Sequence, residues 1–350
     1  THSAAVKEGR VWTWGDNAWG QLGQPDAGRS LRPRPVVGLR AATAVAASWH
    51  TLALTEDGQV YAWGRNTFGQ LGNGRFGVEA KELSPVRVQR VTEVVAVAAG
   101  WDHSLALTRE GKVYAWGSRA HGQLGDGVRE TGRPAAVPQP VPGLTGIVAI
   151  AAGGQHSLAL RRDGALFAWG SNWNGQLGNG GLKAGTHSAV PQPVLGPDGK
   201  APLSNVTAIA AGGLHSVAAS RDGQIYAWGY NGTGQIPCGK RGGFWDDKGP
   251  RDVPLPAAAL AEGAKRAIAP AAGTAVAAGY EATYALAGDG GVWASGWSLY
   301  GELGNGSSGV NRDTLGAVLT GRTVSWEKPS PGTWRTPLAA VSNHSFVFRS

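Results

Sequence analysis

Histidine followed by a hydroxyl residue recurs along this 350-residue chain, at His50-Thr51, His103-Ser104, His156-Ser157, His215-Ser216 and His344-Ser345. Imidazole beside hydroxyl is the pairing that activates a serine nucleophile, and several imidazoles together can hold zinc. Repetition argues against both. Ligands of one ion converge to about 2 Å from it, whereas equivalent positions on stacked sheets stand about 10 Å apart. A nucleophile is unique, and these pairs are copies. The histidines are therefore read as structural, each imidazole hydrogen-bonding backbone at a tight corner. The run Gly234-Gln235-Ile236-Pro237-Cys238-Gly239-Lys240 has phosphate-loop spacing, but Arg241 stands where Ser or Thr would hold magnesium, and a Gly-rich stretch follows instead of a helix. Cys238 is the single cysteine, so an intramolecular disulfide and a cysteine zinc site are excluded. No catalytic, metal or cofactor-binding residue is assigned.

The elements that position these residues come from a repeat. A strand ending in Trp-Gly leads to a turn ending in Gly-Gln-Leu-Gly, as in Trp14-Gly15 with Gly20-Gln21-Leu22-Gly23 and Trp63-Gly64 with Gly69-Gln70-Leu71-Gly72. It returns at Trp116-Gly117, Trp169-Gly170 and Trp228-Gly229, and in worn form at Ser295-Gly296. Between the histidine and tryptophan strands sit Asp57-Gly58, Glu110-Gly111, Asp163-Gly164, Asp222-Gly223 and Asp289-Gly290, where glycine supplies the positive φ of a hairpin. Val94 to Ala98 is an apolar, β-branched run fit for a buried inner strand. Pro85-Val86-Arg87-Val88, Pro138-Gln139-Pro140-Val141 and Pro191-Gln192-Pro193-Val194 read as outer strands, because proline suits an unpaired edge. Four antiparallel strands per unit, repeated radially, describe an all-β chain forming a single closed β-propeller. Six blades are favoured and seven are possible. The first unit begins at Glu8-Gly9 with strand Arg10 to Trp14, and Leu338 to Val341 with His344 to Phe348 is expected to complete it, so that both termini share the closing blade. Residues 240–270 read as an extended inter-blade linker within this one domain, 1–350.

The Ala-Gly-x-x-His-Ser-Leu-Ala-Leu, Asp-Gly-x-Val-Tyr-Ala-Trp-Gly and Asn-x-x-Gly-Gln-Leu-Gly blocks, taken together, resemble the regulator of chromosome condensation repeat family over essentially the whole chain. The resemblance implies a propeller, mostly seven-bladed in that family with a split closing blade. A seventh unit would have to lie in Ser307 to Pro337, around Thr323-Val324-Ser325-Trp326 and Thr333-Trp334. One relative senses ultraviolet-B through repeated Gly-Trp-Arg-His-Thr. The nearest matches, Gly100-Trp101-Asp102-His103-Ser104 and Ser48-Trp49-His50-Thr51, lack the arginine, so photoreception is not expected.

The net charge of +8 invites a nucleic-acid partner. Its densest basic stretch, with Lys240, Arg241, Lys248, Arg251, Lys265 and Arg266, also carries Asp246, Asp247 and Glu262 and reads as solvated surface. No run approaches the roughly 18 apolar residues of a membrane span. The chain opens at Thr1 and holds no methionine, which reads as a processed or trimmed product. Abundant alanine, and arginine in excess of lysine, point to a bacterial source; an exported or periplasmic location is preferred to a cytoplasmic one, and a monomer is expected.

Strand direction locates the surface that varies. Successive turns of an up-and-down blade alternate between two faces, so the Gly-x-x-His and Asn-x-x-Gly-Gln turns share one. Their variable slots hold Trp49, Trp101, Asp102, Tyr280 and Glu281 from the first turn, and Trp19, Phe68, His121, Trp173 and Tyr300 from the second. Aromatic side chains dominate interface hot spots. This face is the expected binding surface, and another protein the expected partner. The resemblance adds two alternatives: guanine-nucleotide exchange on a small GTPase, as for the family's founding member, and an exported propeller that inhibits or recognises an extracellular enzyme or glycan.

Overall fold

The computed structural model describes all residues except 1, 26–27, 129–132, 182–186, 238–250, 257–274, 287–290, 300–301, 307, 310, 319–337, 342–343 and 348–350. Among the described residues there is no helix, and the strands gather into small antiparallel sheets. The first sheet holds β1 (His2–Lys7), β2 (Arg10–Gly15) and β3 (Ser30–Pro35). Four strands follow in β4 (Ala42–Ala47), β5 (His50–Thr55), β6 (Val60–Arg65) and β7 (Lys81–Arg87). The third sheet has β8 (Val94–Ala99), β9 (His103–Thr108), β10 (Val113–Gly117) and β11 (Ala135–Pro140). The fourth has β12 (Ile147–Ala152), β13 (His156–Arg161), β14 (Leu166–Ser171) and β15 (His187–Pro193). Next come β16 (Val206–Ala211), β17 (His215–Ser220), β18 (Ile225–Gly229) and β19 (Arg251–Pro256), then β20 (Ala275–Ala278), β21 (Ala282–Leu286), β22 (Val292–Gly296) and β23 (Arg312–Ala317). A last pair joins β24 (Leu338–Val341) to β25 (His344–Val347). Six sheets built on a Trp-Gly-type strand are the blades of a β-propeller, the fold class that the repeats imply.

The chain divides into two compact units. The first comprises residues 1–162, 167–171 and 187–192; the second comprises 163–166, 172–186 and 193–350.

Within a blade the register follows from the repeat. His103 faces Gly117 and Ser104 faces Trp116, just as His50 faces Gly64 and Thr51 faces Trp63. The His-Ser strand, not the innermost one, is the most buried: every residue of β5 and β9 is covered, while β4 and β8 are half-buried beyond their first residue or two. Gly64 takes φ +100°, and a Cβ there would stand 2.9 Å from the His50 Cα. Its left-handed backbone coincides with a register shift against β7, where two steps along β6, from Ala62 to Gly64, match four along β7, from Val86 to Glu82. The outer strands carry the expected prolines and begin earlier than expected, at Lys81, Ala135 and His187.

Blades within a unit are tied by one repeated device. The Gln70 carbonyl accepts from the Trp116 indole N–H at 2.8 Å and from the Ser104 hydroxyl at 2.8 Å. Gln21 does the same for Trp63 and Thr51, and Gln123 for Trp169 and Ser157. In the second unit Gln176 receives Trp228 and Ser216. Four of these hydroxyl positions in turn accept from the histidine of the preceding blade: Thr51 from His2 at 2.6 Å, Ser104 from His50 at 2.7 Å, and Ser157 from His103 and Thr283 from His215 at 3.0 Å. The imidazoles are structural, and their Nε2 atoms pair with a hydroxyl on the neighbouring blade.

One expectation is corrected. β2 takes its histidine-bearing partner from the N-terminus itself, with His2 facing Gly15, so residues 2–7 fill the place assigned to His344–Phe348; β25 pairs with β24. The sequence reading began the first unit at Glu8 because His2-Ser3 lacks the Ala-Gly block that precedes its copies. The 240–270 stretch contains an outer strand, β19, which completes its blade. Cys238, Lys240, Arg241, the Asp289-Gly290 turn and the segments around Trp326 and Trp334 lie outside the described residues.

Candidate functional site

The Asn-x-x-Gly-Gln turn aims its second variable side chain by a local hydrogen bond. The backbone N–H of Trp19 donates to Gln21 Oε1 at 2.8 Å, Phe68 to Gln70 at 2.9 Å, His121 to Gln123 at 2.8 Å and Asn174 to Gln176 at 2.9 Å. The turn's asparagine closes it from the other side, Asn66 Oδ1 accepting from the Leu71 N–H at 3.1 Å. Consensus residues therefore hold the frame and leave the variable side chains free to differ. Trp173 occupies the slot before this one, and it is 53% exposed.

In the first unit four of the expected residues gather around one that the sequence reading missed. Arg65 directly follows Trp63-Gly64, at the end of β6. Its guanidinium carbon lies 5.3 Å from the centre of the Trp19 ring, 5.6 Å from Trp49 and 5.8 Å from Phe68. All three distances are inside cation–π range. Arg65 Nη1 donates to Asp102 Oδ1 at 3.2 Å, and Nε donates to Thr67 Oγ1 at 3.1 Å. Gln70 Nε2 approaches the same Asp102 oxygen at 3.5 Å. Trp49 remains 44% exposed, while the Arg65 and Asp102 side chains are 22% and 21% exposed. Desolvation pushes the Asp102 carboxyl above the usual aspartate range, and the Arg65 charge only partly offsets it. The result is an open aromatic surface with a half-buried ion pair at its centre.

The other expected residues fall apart from this cluster. Trp101 is half-buried beside Asp102, its N–H donating to the Gly154 carbonyl at 3.2 Å. His121 is half-buried, with its pKa lowered by burial and by nearby His187. Tyr280, Glu281 and Trp173 belong to the second unit. There burial raises the pKa of Glu281, Tyr280 and Tyr230, and the Glu281 charge acts on both tyrosines. Tyr300 lies outside the described residues. Among the described residues, no three His, Cys, Asp or Glu side chains are placed to hold a metal ion, and no helix is long and apolar enough to cross a membrane.

Arg65 and Tyr230 share a signal that was available in the sequence. The residue after each Trp-Gly or its worn copy is Asp16, Arg65, Ser118, Ser171, Tyr230 or Trp297, a slot that changes while its neighbours repeat. The slot is half-buried at Asp16, Arg65, Tyr230 and Trp297 and buried where it holds the small Ser118 and Ser171.

The model of the RCC1-like domain family matches residues 1–347. The ultraviolet-B receptor UVR8 of Arabidopsis thaliana is 32% identical over 316 residues, covering 88% of this chain and 66% of that protein. The probable E3 ubiquitin-protein ligase HERC6 of Homo sapiens is 37% identical over 236 residues, 65% of this chain and 22% of that protein. The chain thus spans less than two thirds of the length of these relatives. Among solved structures, Prp20p from Saccharomyces cerevisiae aligns with a TM-score of 0.73 at 25% identity, covering 97% of this chain and 78% of that one. Human WBSCR16 aligns with a TM-score of 0.74 at 23% identity, covering 97% and 82%, a likeness of fold.

Proposed function

Because the chain belongs to the RCC1-like domain family, we propose that it is a non-enzymatic interaction module whose protein partner docks on the aromatic turns of the first unit. The observation that carries this reading is the convergence of Trp19, Trp49 and Phe68 on Arg65, with Trp49 left open to solvent. Three rings from three turns, held by a rigid frame, present large contact area with little side-chain entropy left to lose. Protein binding among relatives supports it: the Prp20p structure is described together with binding to Gsp1p and histones, and another holds Kap60 bound to yeast RCC1 (Prp20). Trp101 and His121 extend the proposed surface in the first unit; Trp173, Tyr280 and Glu281 are proposed contact residues of the second.

The test compares the immobilised chain with a Trp49→Ala/Phe68→Ala variant in extract of the source organism. A protein retained by the parent, lost by the variant and rebuilt into a complex from purified components is the expected result. The variant's thermal midpoint should fall by no more than about 4 °C, since both substituted rings are at least partly exposed. Retention of the same proteins by both chains would overturn the assignment.

A further inference from the structure

Arg65 is held more firmly than it is satisfied. A guanidinium has five N–H donors in a planar fork. Here one goes to Thr67 Oγ1 at 3.1 Å and one to Asp102 Oδ1 at 3.2 Å. The remaining three have no acceptor among the described residues. The pair with Asp102 is single-pronged and longer than the roughly 2.7–2.9 Å of a strong charge-assisted bond. The rings of Trp19, Trp49 and Phe68, meanwhile, fix the group from three sides without accepting those protons in strong bonds. A scaffold arginine would have its fork filled by carbonyls or a bidentate carboxylate. This one is clamped, partly dehydrated and open along one edge.

We propose that this open edge is a receptor for a carboxylate, an aspartate or glutamate side chain of the partner protein that seats on it in bidentate fashion while its neighbours pack on Trp49. The inference rests on the reading of this surface as an interaction site. Three features favour an acidic occupant over a basic one. Three N–H donors of Arg65 are free at the centre of the cluster, against one carboxylate oxygen, Asp102 Oδ2. The aromatic faces that would attract an incoming cation already hold Arg65. The chain's net charge of +8 draws acidic segments toward it. Asp102 then acts as a competitor: it holds the guanidinium in place in the free protein and weakens the field that an incoming carboxylate meets.

The probe is N-acetylated, C-amidated hexaglutamate, with hexalysine as the opposite-charge control, each titrated calorimetrically into the full chain at low and at physiological salt. Arg65→Gln should weaken hexaglutamate binding by about tenfold, since it removes a charge-assisted bidentate contact. Arg65→Lys keeps the charge but not the fork and should weaken it about threefold or more. Asp102→Asn should strengthen it by about threefold, because the competing anion is gone. Arg87→Gln, on an exposed outer-strand position, removes the same charge elsewhere and should change affinity by less than about twofold. Equal losses in Arg65→Gln and Arg87→Gln would mean that net charge alone attracts the peptide, and would overturn the proposal. So would hexalysine binding that depends on Asp102, or self-association lost in Arg65→Gln without any hexaglutamate binding. Should the partner still depend on Trp49 and Phe68 while Arg65→Gln leaves its affinity unchanged, the interaction surface stands and the carboxylate receptor falls.

Discussion

Each buried tryptophan has a single polar atom, and the structure places it on one carbonyl of the preceding blade. The Trp63 indole N–H donates to the Gln21 carbonyl at 2.9 Å, an acceptor that also serves Thr51. Trp63→Phe removes that donor and opens part of the indole volume, while the carbonyl keeps its second partner. A loss of about 1–3 kcal/mol in unfolding free energy is expected, read from urea denaturation. Trp49→Ala, at a 44% exposed ring, should cost well under half as much. Equal losses would mean that the two tryptophans do not divide into scaffold and surface. The same division separates Arg65 from its neighbours: Trp63 and Gly64 repeat from blade to blade, and the residue after them does not.

At the scale of the turn, glycine is required at some positions and merely accommodated at others. Gly72 closes the Gly-Gln-Leu-Gly turn with φ +65°, and a Cβ there would meet Trp116 Nε1 and Val88 Cγ1, each at 2.9 Å. Gly74, two residues on, has φ +85° but faces only the Gln89 side chain, at 3.5 Å. Both alanine substitutions incur left-handed strain of about 1–2 kcal/mol. Only Gly72→Ala adds the overpacking penalty of about 1–3 kcal/mol against an indole and a valine. The difference between the two midpoints measures that close approach, and its absence would show that the indole yields. The third turn departs from the frame differently. Where Asn66 Nδ2 meets Asn73 Oδ1 at 3.1 Å, Arg119 meets Asp126 at 2.9 Å, so an ion pair replaces an amide pair at the same offset.

Across the whole chain the repeated histidines add up to a sensitivity to acid. Burial lowers the pKa of His2, His50 and His103 to about 3 and that of His215 to about 4, from 6.5. Each remains neutral in the folded protein, donating from Nε2 to a hydroxyl. The unfolded chain takes up protons below pH 6.5 that the folded one refuses, so stability is complete above that pH and falls as the pH drops toward 4. The slope tends to about 1.4 kcal/mol per pH unit for each such histidine. Chemical denaturation at pH 7.5, 6 and 5 should show a steep loss. A His103→Gln variant, which keeps an N–H donor without a titrating ring, should flatten it. An unchanged slope in that variant would remove His103 from the account.

Much of the frame was legible because it repeats. Trp-Gly, His-Ser and Gly-Gln-Leu-Gly recur in fixed order, and only a bladed sheet buries all of them at equivalent places. That reasoning identified the hairpins, the proline-bearing edges, the structural role of the imidazoles and the turns that carry the variable aromatics. It failed where a residue stood without its repeat context. His2 lacked the preceding block, and Arg65 sat in a slot with no consensus to depart from. The partners of a side chain also lay beyond it. That Trp19, Trp49, Phe68 and Asp102 meet on one guanidinium depends on turns from successive blades being brought within about 6 Å. Sequence alone determined the repeating hydrogen-bonded scaffold, because backbone pairing and burial have the periodicity of the chain. Only the tertiary structure decided the cluster, because cation–π and ion-pair contacts fall off with distance through space and do not depend on distance along the chain.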